Sequence, residues 1–177
     1  MKRTKNGANA FIRWLARLTI VGLATLAAPG SIAAQGNKQV VHLYFADAAK
    51  PFLVGEERVM VYPGDPSSFG RQLVAELING PAAGGKLATI SPGTRLRAFF
   101  LLEDGTAVVD FSSQLRDNHP GGCRREQLTL FSLVNSLVLN EPAIERVKIL
   151  IAGAENETLA GHVPIEFPLT ADMLLTR

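Results

Sequence analysis

The chain has 177 residues, 47 % hydrophobic and 19 % charged, with 18 basic against 16 acidic side chains and one cysteine. This length suits one domain with its own core, and the lone Cys123 excludes an intramolecular disulfide. Five basic residues and no acid fall within residues 1–33, so the remainder carries 13 basic and 16 acidic groups, net −3, which argues against a nucleic-acid ligand.

Lys2, Arg3, Lys5, Arg13 and Arg17 precede an uncharged, mostly apolar run, Leu18 to Ala28, closed by Pro29-Gly30. Ser31 and Ala33 then supply the small residues of a cleavage site. Residues 1–33 read as a secretory signal cut after Ala33 or Ala34. The run is shorter than the ~20 residues of a membrane-spanning helix. An uncleaved anchor is the second reading, and in that case the membrane is met through this segment alone. No cysteine follows the run, so an acylated start is not expected. The pattern implies a periplasmic or extracytoplasmic location. Residues 34–39 form a short polar leader, 40–168 the domain and 169–177 a tail.

Val40 to Phe45 is rich in β-branched and aromatic residues and predicts a strand; Phe52 to Val54 is a short apolar stub and Glu57 to Tyr62 a second strand. Asp65-Pro66 opens a helix, with Asp65 as cap and Pro66 at a position where its missing N–H costs nothing. Phe69, Leu73 and Leu77 make its apolar stripe, and Gly80-Pro81 stops it. Residues 82–93 read as loop. Arg95 to Glu103 and Thr106 to Phe111 form a hairpin across Asp104-Gly105. A loop, Ser112 to Gly122, leads to a second helix, Glu126 to Leu139. Its wide apolar arc implies burial. Arg146 to Ala152 is an alternating strand, Glu157 to Ile165 a last strand or loop, and Pro168 onward a tail. The economical arrangement is α+β: a two-layer sandwich with both helices on one face of a single mixed, mostly antiparallel sheet.

The stretch from Asp110 to Glu126 is the richest in chemistry. Ser112 or Ser113 as nucleophile, His119 as base and Asp110 or Asp117 as its orienting carboxylate would make a small hydrolase, provided they converge in space. No Gly-x-Ser-x-Gly elbow accompanies them. The competing reading gives Asp110, Ser112, Ser113 and Asn118 backbone work in turns and caps, with Pro120, Gly121 and Gly122 as the corner before the second helix. Cys123 with His119 is a second possible nucleophile pair, lacking a third member. His42, His119 and His162, even with Asp47, Asp110 or Asp117, show no metal-ligand spacing. Neither a metal nor any other cofactor is expected. Asn135, inside an apolar helix, is either solvent-facing or a buried latch bonded to the Asp110–Pro120 loop.

Several pieces in order resemble the GerMN domain family of GerM-type sporulation and spore-germination proteins. They are Leu77-Ile-Asn-Gly-Pro81, Ser91-Pro-Gly-Thr-Arg95, Val109-Asp-Phe-Ser-Ser113, Asn118-His-Pro-Gly-Gly122, Leu133-Val-Asn-Ser-Leu137 and Thr158-Leu-Ala-Gly-His162. The resemblance implies an envelope domain with a fold similar to the ring-building motifs of secretion and sporulation channels, and it carries no catalytic residues. Well-known members are lipoproteins with two such domains; here one domain and no lipid-acceptor cysteine are found. The reading that follows is an exported, non-enzymatic assembly or binding domain engaging envelope proteins or peptidoglycan, with self-association as a further expectation. The alternative is the envelope hydrolase using Ser112/Ser113 with His119.

Overall fold

Alternating side chains make Lys38–Asp47 a half-buried strand, β1, whose Val41, Leu43 and Phe45 are fully buried. The structure, a computed structural model, describes residues 37–177; the signal, cleavage-site and anchor readings lie outside the described residues. β2 (Leu53–Val61) runs antiparallel along β1. It joins the expected stub and second strand into one, because Gly55 continues the ladder opposite Tyr44.

α1 (Pro66–Asn79) begins as the sequence predicts, with the Asp65 carboxylate accepting the Ser68 N–H at 2.8 Å. Gly80 ends it at φ 85°, in the left-handed region that favours glycine. Phe69, Leu73, Val74 and Leu77 face inward. The following loop contains a two-residue strand, β3 (Lys86–Leu87), paired with the end of β1. β4 (Leu96–Leu101) and β5 (Thr106–Phe111) are the expected hairpin, and β6 (Arg146–Ile151) lies parallel to β5. Between them come a single turn, α2 (Gln114–Asp117), within the expected loop, and the long α3 (Cys123–Val138), which starts three residues before the expected Glu126.

The α+β class and the mostly antiparallel pairing are as expected. The strands, however, are divided between two three-stranded sheets, β2-β1-β3 and β4-β5-β6, rather than joined in one. The cause is visible on β1. Its edge away from β2 is occupied by side chains of α3 and of Asn140 just past its end: Ser136 Oγ accepts the Tyr44 N–H at 2.9 Å, Asn140 Oδ1 accepts the His42 N–H and Asn140 Nδ2 donates to the His42 carbonyl, both at 2.8 Å. Ser132 Oγ donates to the Tyr44 carbonyl at 2.5 Å. Ser132 and Ser136 stand on one face of the helix, and Asn140, four residues on, follows the same line past its end. They satisfy strand groups that would otherwise need another strand. α3 packs on β1 and β6, and α1 on β4 and β1. One core spans both sheets, uniting Leu43 and Phe45 with Leu133 and Leu137 of α3, Phe69 and Leu73 of α1, and Phe99, Val109, Phe111 and Ile149. Among the described residues no helix is long and apolar enough to cross a membrane.

The tail is ordered against the domain. Leu169 bridges Val147, Thr176 bridges Leu53, and the Arg177 guanidinium lies 4.6 Å from the Phe52 ring centre. Met173–Leu175 forms a 3₁₀ turn. Glu157 to Ile165 is not a strand but a loop with isolated bridges.

Candidate functional site

The corner between β5 and α3 gathers the polar residues singled out in the sequence, and most of them bind backbone. Asp110 is buried at the end of β5, where its Oδ1 accepts the Gly153 N–H at 2.9 Å and its Oδ2 lies 3.3 Å from Arg97. Ser112 is also buried: its Oγ accepts the Arg95 N–H at 3.0 Å while its own N–H returns to the Arg95 carbonyl at 2.9 Å. Ser113 sits at the N-cap position of α2 without a side-chain cap bond; its carbonyl accepts the Asp117 N–H at 2.8 Å, and its hydroxyl holds the Asp117 carboxyl below its ordinary range. Asn118 Nδ2 donates to the Pro92 carbonyl at 2.7 Å, tying the corner to the loop before β4. Pro120 and Gly121 (φ 73°) turn the chain, and Gly122 (φ 92°) is the cap of α3.

His119 is half-buried and committed at both nitrogens. Nδ1 accepts the Gly121 N–H at 3.0 Å, so the proton of the neutral ring sits on Nε2, which lies 3.1 Å from Thr129 Oγ1. Thr129 in turn donates to the Thr89 carbonyl at 2.6 Å. Burial pushes the His119 pKa below its ordinary value and favours this neutral form. The one hydroxyl bonded to His119 is therefore that of Thr129, and the ring donates to it instead of drawing its proton away. Ser112, Ser113 and Asp110 do not form a constellation with His119. Cys123 is exposed on the first turn of α3, and neither His119 nitrogen is bonded to it. His42 and His162 are held elsewhere, and among the described residues no group of three His, Cys, Asp or Glu side chains is placed to hold a metal.

Asn135 is completely buried, but its partner is not the expected loop. Its Oδ1 and Nδ2 exchange hydrogen bonds of 2.9 Å with the N–H and carbonyl of Asp172, so it latches the tail. The Asp110–Pro120 loop bonds instead within itself and to Arg95, Pro92 and Gly153.

Sequence reasoning passed over Glu126. This carboxylate, in the first turn of α3, is 0 % exposed. Its Oε2 accepts the N–H groups of Ala160 (3.2 Å), His162 (3.1 Å) and Val163 (2.9 Å), and its Oε1 lies 2.7 Å from His162 Nδ1. Burial alone would raise its pKa; the three backbone donors and the imidazole outweigh burial and hold it below the ordinary range. Glu126 thus anchors the loop carrying Thr158-Leu-Ala-Gly-His162.

His119 stands as the wall between two clefts. One, about 460 Å³, lies between Arg116, His119 and Gly121 on one side and Asn156 to Gly161 on the other. The second, about 320 Å³ and more apolar, runs along Leu87 to Pro92 opposite Leu128 and Thr129. Each cleft is framed by backbone that the corner's hydrogen bonds hold in place.

A family model described as Germane, sporulation and spore germination, matches residues 42–157. Among solved structures the chain is similar to a protein of Clostridium perfringens provisionally described as a lipoprotein, with 24 % identity and a TM-score of 0.55 over 76 % of this chain and 88 % of that one. It is similar to the tandem GerMN domains of the sporulation protein GerM from Bacillus subtilis, with 23 % identity and a TM-score of 0.56 over 76 % and 46 %. The first of those domains alone gives 24 % identity and a TM-score of 0.57 over 75 % and 97 %. The chain therefore spans about half of the tandem protein and nearly all of its single domain. No curated protein matches it. At these identities the structural likeness speaks to the fold.

Proposed function

Because the chain belongs to the Germane family of sporulation and spore germination domains, we propose that it works outside the cytoplasm as a non-enzymatic binding or assembly domain of the cell envelope. Its partners in this reading are envelope proteins or peptidoglycan. The observation that carries the non-enzymatic part is the bonding of the β5–α3 corner. Ser112 binds Arg95 backbone, Asp110 binds Gly153, and His119 is occupied by Gly121 and Thr129. A nucleophile–base pair needs those groups turned toward a substrate; here each is bonded to its neighbours in the fold instead. The basic, then apolar, start of the sequence and the likeness to a lipoprotein-type and a sporulation protein favour the extracytoplasmic setting.

The test is capture and size. The whole chain, expressed with a C-terminal tag in its own host, is crosslinked and recovered from envelope extract, and separately sedimented with purified peptidoglycan. Recovery of a defined envelope protein, of peptidoglycan or of a multimer supports the reading. A strictly monomeric protein that sediments with nothing and crosslinks to nothing contradicts it. Ester or amide hydrolysis that disappears in both Ser112→Ala and His119→Ala would establish the hydrolase instead.

A further inference from the structure

A third cleft, about 340 Å³, opens where the parallel strands β5 and β6 end, lined by Arg95, Arg97, Ser112, Ser113, Gln114 and Ala152. Chains leave a parallel pair in different directions at the carboxyl ends of its strands, and ligand sites gather in the crevice this leaves. Here the crevice is basic. Arg95 is exposed, and its guanidinium has no hydrogen-bond or ion-pair partner among the described residues. Arg97 is the extra residue of a β-bulge: Leu96 faces Phe111 and Ala98 faces Asp110, with Arg97 between them. Bulges re-aim side chains next to sites, and this one lays the Arg97 guanidinium against Gly153, where a Cβ would come within 3.3 Å of it.

Two further features point the same way. Ala152, at the end of β6, has φ 56° and is the one non-glycine residue with positive φ among those described. Such backbone persists where its surroundings hold it, and it clusters at binding sites. Gln114 is among the lining residues, and its Oε1 is buried and without a hydrogen-bond partner among the described residues, a state that buried polar atoms rarely keep.

We infer that this cleft binds a carboxylate, the one at the end of a peptide chain. Charge selects the class. Two guanidinium groups against the Asp110 carboxylate, 3.3 Å from Arg97, leave one net positive charge. That matches a monoanion better than a phosphate dianion, and the planar guanidinium fork matches the two oxygens of a carboxylate. The site is separate from the two clefts flanking His119, and it holds whether or not those engage an envelope partner.

The experiment titrates the whole chain with N-acetyl-alanyl-alanine, with its C-terminal amide and with inorganic phosphate, and follows backbone amide resonances. The acid shifts the amides of Ser113, Gln114, Ala152 and Gly153 and binds at least about tenfold tighter than the amide, the difference one charge-assisted pair makes. Arg95→Ala, which removes an exposed side chain and leaves the folded spectrum intact, weakens the acid about tenfold. Equal binding of acid and amide, a preference for phosphate, shifts confined to other regions, or an Arg95→Ala variant that binds as tightly as the parent each overturn the inference.

Discussion

Glu126 and His119 show how single side chains set this corner. A carboxylate with no solvent exposure is costly unless its lone pairs are met, and Glu126 meets them with three N–H groups and the His162 ring. Glu126→Gln keeps the shape but turns an NH2 toward donors, so it should cost about 2–4 kcal/mol. Chemical denaturation reads that loss, and hydrogen exchange should show Ala160, His162 and Val163 losing protection first. The same bonds set a pH dependence. Glu126 has a folded pKa below its unfolded value, and Glu56 is held at about 2 against 4.5 because the N–H groups of Ala82 and Ala83 and the Arg58 guanidinium overcome the effect of burial. Stability from both carboxylates is present above pH 4.5 and is lost as pH falls through the folded values, toward about 2 for Glu56. His119 acts in a different window. Its folded pKa lies below the unfolded value of about 6.5, so the unfolded chain takes up the proton first and stability already declines as pH falls below that value. In His119→Gln the decline that begins near pH 6.5 should vanish while the acid limb below pH 4.5 stays; an unchanged upper limb would contradict the neutral ring.

At the scale of elements, helix α3 substitutes for a strand along β1. Ser136→Ala should leave the Tyr44 N–H without its partner, costing about 1 kcal/mol and speeding exchange of that amide while β2 stays protected. α1 depends on closeness. A Cβ on Gly70 would sit 2.2 Å from the Phe99 ring, so Gly70→Ala should lower the melting temperature, although alanine favours helix by about 1 kcal/mol, because overpacking costs about 1–3 kcal/mol; a rise in melting temperature would refute this contact. These two contacts also show what the sequence could reveal. α1, the hairpin and β6 are legible because period, caps and an Asp-Gly turn are local signals. The four-residue spacing of Ser132, Ser136 and Asn140 is written in the chain, yet its meaning depends on β1, about 90 residues away. Glu126 reads as an ordinary first-turn acid because its partners lie 34–37 residues downstream. Asn135 is legible as a polar residue in an apolar helix; its partner, Asp172, is not, since nothing local marks the tail as docked.

For the whole molecule, the tail and the corner make one unit of two divided sheets. Removing residues 170–177 strips Asn135 of both its bonds and should cost about 2–3 kcal/mol, measured as a shifted denaturation midpoint. The surfaces left open by this packing are the clefts beside His119, and on them rests the proposed role as an envelope binding domain. A photo-crosslinking amino acid placed at Asn156, on the rim of the larger cleft, and separately at Glu103, on the hairpin tip at the opposite end of β5, tests that role inside living cells. Crosslinks from Asn156 to an envelope protein, to peptidoglycan or to a second copy, with none from Glu103, are the expected result. No product from either position, or the same products from both, would contradict it.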